Sequence, residues 1–283
     1  MPATRAPHYR VVGVLGRGAT AVVELAVAPD GTRVARKRVA LTGSAVDIDQ
    51  ARTRLRREAV VLARLRHPGI VPVLAVDDDA GDLVIVMPAL VGNLADRVAA
   101  GGPLPPAEVA EGAVTLLGAL ATAHAAGVVH RDVKPANVLV DHRGRLALAD
   151  FGLAGGPATT AGLTMAGTVL GTPAWMAPEQ ARGEPVGPAA DVFALGATLL
   201  FAATGATPWG DGPPAAALAR AASGAPCRLP ATTPSSLAGL LAAMLRPDPR
   251  QRPGAAALLA AAPVAAAGGS PATAPTAPAG APA

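Results

Sequence analysis

The apolar residues change their period once along this chain, and that change limits the folds open to it. Up to about residue 91 they run as short, β-branched stretches: YRVVGVL from Tyr9, AVVELAV from Ala21, TRVARKRVA from Thr32, HPGIVPVLAV from His67 and DLVIVM from Asp82. The turn residues GRGAT and APDG separate the first three, as expected of antiparallel strands. One helical stretch interrupts them, from Asp47 to Arg66, with Leu55, Val61, Leu62 and Leu65 near one face and arginines opposite. After PALVGN the spacing lengthens. Val109, Ala113, Leu116, Leu117 and Leu120 mark the buried face of a long helix that ends near Gly127. Short strands are expected around NVLV and RLALAD. DVFALGATLLFAAT is apolar on all sides, as in a helix enclosed by other helices. Helical stretches near 214–223, 234–246 and 254–262 follow. Strands first and helices after place the chain in the α+β class.

The core available to such a fold is aliphatic. Apolar residues make up 51% of the 283, yet Phe, Trp and Tyr together only 2%, so Ala, Val and Leu must fill it. From about residue 263 the chain is Ala, Pro, Gly, Ser and Thr without charge, and Arg252 is the last charged side chain. That tail cannot bury enough surface to fold and is expected to be a disordered linker. The N-terminus has no secretory run, no stretch could span a bilayer, and the single Cys227 can form no internal bridge. These features fit a soluble, cytoplasmic protein. A net charge of +4 invites a nucleic-acid reading. However, the densest basic cluster, Arg52 to Arg66, encloses Glu58 and lacks the aromatics that would stack bases, so it reads as the solvated face of a helix.

Lysine is nearly absent. Of 24 basic residues of the Lys/Arg type, only Lys37 and Lys134 are lysine, and Lys37 lies between Arg36 and Arg38. An ammonium is a compact point charge and a guanidinium a planar fork, so two surviving lysines mark places where a point charge is needed. Asparagine is equally scarce, at Asn93 and Asn137. Asn137 follows Asp132 by five residues, and Asp150 opens DFG. An amide and a carboxylate oxygen suit a hard cation such as magnesium, which keeps positions for phosphate and water. The glycines of GRGATAV, Gly16 to Val22, would let backbone N–H groups approach phosphates.

Taken in order, these elements resemble a bacterial (Hanks-type) serine/threonine protein kinase over nearly the whole chain to about residue 262. They are the glycine loop, VARK ending at Lys37, Glu58 before HPGIV, HRDVKPAN, DFG, GTPAWMAPE, DVFALG and RPDPRQRP. The resemblance implies a two-lobe fold: an N-lobe and hinge over 1–91, with an antiparallel sheet and one helix, a mainly helical C-lobe over 92–262, and the tail over 263–283. It implies that ATP and Mg2+ are bound. Gly16 and Gly18 would face the phosphates. Lys37 would hold them and be held by an ion pair to Glu58. Asp132 would accept the substrate hydroxyl proton, Lys134 would neutralise the transferring group, and Asn137 and Asp150 would hold the metal. Met87 would guard the back of the adenine pocket, Pro88 to Leu90 would form the hinge, and Val23, Ala35 and Leu139 would sandwich the ring.

The resemblance further implies that Asp191 caps the catalytic-loop backbone, that Glu179 pairs with Arg252, and that His130 and Phe151 serve packing. Arg131 would bind a phosphate on the activation loop, where Thr159, Thr160, Thr164, Thr168 and Thr172 lie, with Thr164 and Thr168 the candidates for autophosphorylation. That reaction would bring two copies into a transient homodimer. Protein substrates with Ser/Thr acceptors are expected, with no nucleic acid. The chain departs from the family pattern at Ala21 in the glycine loop, Pro88 in the hinge and Trp175 near the substrate. A pseudokinase scaffold and a small-molecule phosphotransferase are the rival readings.

Overall fold

A computed structural model describes residues 9–18, 21–40, 44–79, 81–151, 173–210, 212–225, 227, 229–233 and 235–262. Its first part is a five-stranded antiparallel sheet in the order β1-β2-β3-β5-β4. The strands are β1 (Arg10–Arg17), β2 (Ala21–Val27), β3 (Arg33–Val39), β4 (Ala75–Asp79) and β5 (Asp82–Pro88), with helix α1 (Ala45–Leu62) between β3 and β4. Strand side chains alternate between faces. Val34, Val84 and Val86 pack with Ala26 on the outer face. Ala35, Val39, Leu83, Ile85 and Met87 turn inward to Leu55, Ala59 and Leu62 of α1 and to the main core. α1 opens with a reciprocal cap, Ser44 accepting from the Asp47 N–H while the Asp47 carboxylate accepts from the Ser44 N–H.

One expected strand is much shorter than its apolar run. HPGIVPVLAV pairs in the sheet only from Ala75, because Pro68 and Pro72 lack the N–H that a ladder needs. The stretch before it serves the other lobe. Val71 N–H donates to the Leu148 carbonyl (2.9 Å), and Leu148 N–H to the Gly69 carbonyl (2.8 Å).

The second part is mainly helical, as expected. A small sheet of β6 (Gly92–Asn93), β7 (Val138–Val140) and β8 (Leu146–Leu148) lies beside α2 (Leu94–Gly101) and α3 (Pro106–Ala125). Then come α4 (Pro178–Ala181), α5 (Pro188–Thr204), α6 (Pro214–Ser223), α7 (Ser235–Met244) and α8 (Ala255–Ala261). Asn93 caps α2, its side-chain oxygen accepting from the Asp96 N–H at 2.9 Å. The two asparagines thus have different tasks. The expected face of α3 (Val109, Ala113, Leu116, Leu117, Leu120) is buried throughout, and Gly127 beyond its end has a φ of 75°. α5 is buried on nearly every side. A Cβ at its Gly196 would come within 2.8 Å of Met244 Cβ, so α5 and α7 approach as closely as an aliphatic core allows.

Buried Glu179 and Arg252 lock the end of the activation segment to this lobe. Arg252 meets both carboxylate oxygens, Nη1 to Oε1 at 2.5 Å and Nη2 to Oε2 at 2.7 Å, and its remaining N–H groups donate to the carbonyls of Arg246, Pro247 and Ala189. The guanidinium also lies 5.0 Å from the Phe193 ring centre. Removing one partner strands the other charge in a dry site. Glu179→Ala and Arg252→Ala should each lower the unfolding free energy by about 3–5 kcal/mol, read from urea melts. A loss under about 1 kcal/mol for either variant would show that water reaches the pair.

Candidate active site

Strand β3 explains why a lysine sits between two arginines. Arg36 and Arg38 share the outer face with Val34. There Arg36 reaches Glu24 (3.0 Å) and Asp79 (2.8 Å), and Arg38 reaches Asp79 (2.6 Å) and Asp82 (3.4 Å). These forks bridge several carboxylates at once. Lys37 points the other way, with Ala35 and Val39, and meets one oxygen: its Nζ lies 2.9 Å from Asp150 Oδ1.

On the opposite side of the cleft, three residues of HRDVKPAN converge. Lys134 Nζ lies 2.8 Å from Asp132 Oδ2, and Asn137 Nδ2 donates to that same oxygen (2.9 Å) and to the Asp132 carbonyl (2.8 Å). With both amide protons of Asn137 so engaged, its Oδ1 is left as an acceptor. β7 and β8 bring Asn137 and Asp150 together, since the Ala149 N–H donates to the Asn137 carbonyl at 2.9 Å. Asp150 itself stands at a φ of 63°, a left-handed backbone rare outside glycine. Lys37 and Asp150 thus form one contact and Asp132, Lys134 and Asn137 another, and the Ala149–Asn137 backbone bond links the two.

Glu58 does not join them as expected. Among the described residues, Lys37 pairs with Asp150 and makes no ion pair with Glu58. Glu58 Oε2 is buried without a hydrogen-bond partner. Arg56 pairs with Asp78 of β4, and Arg52 bonds the Gly81 carbonyl, so the helix is fastened to the β4–β5 turn. Glu58 is left facing the charges of Arg54 and Arg131.

Several residues expected at the adenine site are neighbours on the first sheet. Ala35 is paired with Met87 across β3 and β5, and Val23 with Lys37 across β2 and β3. Ala35 and Met87 are buried; Val23, Leu90 and Leu139 are half-buried and pack on the core. After Pro88 the Ala89 N–H is taken by the Arg33 carbonyl (3.3 Å), whereas no described residue accepts the Leu90 N–H. Behind Met87 a cleft runs between Leu62, Ile70, Ile85 and Phe151. In the glycine loop, Gly18 N–H donates to the Ala21 carbonyl at 2.8 Å, and no described atom lies within 4 Å of a Cβ built at Gly16. Ala19, Thr20 and the threonines from Thr159 to Thr172 lie outside the described residues.

Beneath the cleft, buried Asp191 of α5 accepts the N–H groups of His130 and Arg131, each at 2.7 Å, and lies 2.8 Å from His124 Nε2. This is the cap expected of it, and His124 is a partner not anticipated. His130 is fully buried, which drives its pKa down. Its Nε2 lies 2.9 Å from the Ala149 carbonyl, and its ring centre lies 4.4 Å from that of Phe151. It is a packing and hydrogen-bonding residue, as expected. Trp175 stands edge-on to Phe201 at 5.3 Å. The lone Cys227 is no nucleophile, since burial pushes its thiol up to about 12.

Burial also raises the pKa of Glu58, against the opposing pull of Arg54 and Arg131. The folded protein therefore holds the Glu58 proton more tightly than the unfolded chain does. This contribution is complete below the unfolded pKa and is lost as pH rises through the raised folded value. Glu58→Gln removes that loss. In thermal melts without nucleotide, the variant should match the wild type near about pH 4 and exceed it at about pH 8. A difference in Tm that stays constant over this range would contradict a Glu58 carboxyl raised by burial.

Comparison with known proteins agrees with this geometry. The model of the protein kinase domain family matches residues 9–262. The DNA damage-responsive serine/threonine-protein kinase RqkA of Deinococcus radiodurans is 40% identical over 212 residues, 72% of this chain and 31% of that protein. The serine/threonine-protein kinase PkaA of Streptomyces coelicolor is 38% identical over 262 residues, 87% of this chain and 48% of that protein. PrkC of Bacillus subtilis, also a serine/threonine-protein kinase, is 35% identical over 213 residues, 75% of this chain and 32% of that protein. The chain thus spans less than half the length of these relatives. A sheet with one helix above and helices below, a lysine and a DFG aspartate in contact across the cleft, and a family match over nearly its whole described length make this chain a member of the protein kinase domain family, of the bacterial Hanks type.

Proposed function

We propose that this chain is a serine/threonine protein kinase that moves the γ-phosphoryl group of ATP to Ser/Thr hydroxyls of proteins. The observation that carries the reading is the Asp132 carboxylate, half-exposed and oriented by Lys134 and Asn137, opposite the Lys37–Asp150 contact. Asp132 accepts the hydroxyl proton and orients the attacking oxygen. Lys134 and Lys37 place ammonium charge beside the phosphates. Phosphoryl transfer needs little covalent help from the protein, so positioning and charge are most of the catalysis.

The donor set suits Mg2+. Asn137 Oδ1 and the Asp150 carboxylate are hard oxygens, few in number. Among the described residues there is no cluster of three or more His, Cys, Asp or Glu that would suit a softer or protein-caged metal. Asn137 and Asp150 would hold the ion, which when bound neutralises phosphate charge. The adenine lies between Val23 and Ala35 above and Leu139 below, with Met87 behind, and uses the Pro88 carbonyl and the Leu90 backbone. Gly16 and Gly18 leave room over the phosphates. Glu58 must leave its present place to meet Lys37. The Lys37–Asp150 pair with an unpaired Glu58 is accordingly a resting arrangement of a regulated enzyme. The residues 1–91 and 92–262 act as the two lobes, and the first sheet ends at Pro88 while pairing in the second begins at Gly92. Among the described residues, no helix is long and apolar enough to cross a membrane.

Incubation with labelled ATP, Mg2+ and a generic basic protein tests the activity. Wild-type protein should label the acceptor, and Asp132→Asn should lower the rate by about 10²–10⁴. A folded wild type that labels no protein, or an Asp132→Asn variant as active as the wild type, would sink the reading. Autophosphorylation is expected at Thr164 or Thr168. Mass spectrometry with and without ATP decides this, and an activation segment that stays unmodified would end the claim.

A further inference from the structure

The peptide joining Arg131 to Asp132 is held on both edges, and one of its holders has no assigned task. Arg131 stands at a φ of 68°, a left-handed conformation that non-glycine residues seldom adopt. Such a conformation persists only where its surroundings fix it. Asp191 fixes the near side through the Arg131 N–H (2.7 Å). On the far side, the Asp132 N–H donates to His130 Nδ1 at 3.3 Å, and the Arg131 carbonyl accepts from Gln180 Nε2 at 3.3 Å. The plane of that peptide sets the direction in which the Asp132 side chain leaves the backbone.

Gln180 suits this task chemically. Its Oε1 accepts the Ala177 N–H at 3.1 Å, closing the first turn of α4. That bond settles which end of the amide is oxygen, and so turns the NH2 group toward Arg131. Glutamate could supply the acceptor but not the donor. The platform is rigid, because neighbouring Glu179 is clamped by Arg252, and the Met176 carbonyl just upstream accepts from Trp209 Nε1 at 3.0 Å.

We infer that Gln180 is a positioning residue for phosphoryl transfer: it holds the Arg131 carbonyl, and through that peptide it aims Asp132, coupling the end of the activation segment to the catalytic loop. This rests on the kinase reading above. A misplacement of about 1 Å at the reacting group can cost about a hundredfold in rate, while nucleotide contacts made by other residues are untouched. The loss should therefore fall on kcat and not on the KM for ATP.

Two variants separate the donor from the cap. Gln180→Glu keeps an acceptor for the Ala177 N–H and loses the donor; Gln180→Met keeps the length and loses both. With a peptide substrate, each should lower kcat by about tenfold or more with the KM for ATP within about twofold of wild type. Hydrogen exchange at the Asp132 amide should quicken in both, while Gln180→Glu melts near the wild-type temperature. The inference is overturned if Gln180→Glu keeps wild-type kcat, if kcat falls only as far as the folded fraction does, or if the Asp132 amide exchanges as in the wild type. A wild type that transfers no phosphoryl group would overturn the kinase reading instead, and the exchange measurement would still decide whether Gln180 holds the catalytic loop.

Discussion

A single buried carboxylate organises the centre of this molecule. Asp191 is 1% exposed, yet it holds two backbone N–H groups and a histidine nitrogen at hydrogen-bond distance. An ionised carboxylate in such a place is tolerable only when its lone pairs are filled, and here they are filled by the loop that carries Asp132. α5, enclosed by other helices, gives Asp191 a fixed origin. From that origin the left-handed turn at Arg131, the exit of Asp132 and the position of Asn137 follow in sequence. The strain at Arg131 is stable because Asp191, His130 and Gln180 each hold one part of it.

Charge is distributed by shape as well as by sign. Arginine occurs where one side chain must bridge several oxygens: Arg36 and Arg38 across Glu24, Asp79 and Asp82, and Arg252 across Glu179 and three carbonyls. The two lysines each meet a single carboxylate oxygen in the cleft. A lone ammonium on one carboxylate can pass to a phosphate without dismantling a larger network. Glu58 departs from this pairing, its Oε2 buried without a hydrogen-bond partner. It belongs to a helix whose exposed face meets the β4–β5 turn through Arg52 and Arg56. Exposed pairs of that kind are weak, so the arrangement of α1 is open to change at small cost.

The few aromatic residues are concentrated where the fold meets the site. Phe151 packs on His130, Trp175 on Phe201, and Phe193 stacks on Trp209 at 5.5 Å. The rest of the core is aliphatic and relies on close backbone approach, as at Gly196 against Met244. Paired rings beside the 173–181 stretch and small residues between helices give a stiff base to the helical part.

The amino-acid sequence alone determined the fold class, the face of α3 and the enclosure of α5. Periodicity reports which side of an element is buried, and residue chemistry restricts what can face phosphate or metal. The resemblance to protein kinases, not any local pattern, pointed to Asp191 as a backbone cap and to Glu179 beside Arg252, and the structure has both contacts. Tertiary structure alone decided who pairs with whom. Nothing local to VARK shows that Lys37 would meet Asp150 and not Glu58, because both partners lie far from it along the chain. Nothing in HRD shows a positive φ at Arg131, and APEQ gives no sign that Gln180 reaches back to it. The strand read into HPGIVPVLAV was cut short by two prolines whose missing N–H groups outweigh its β-branched composition. Patterns along a chain carry burial and chemistry; partners brought together across long sequence separations are settled only when the chain has closed on itself.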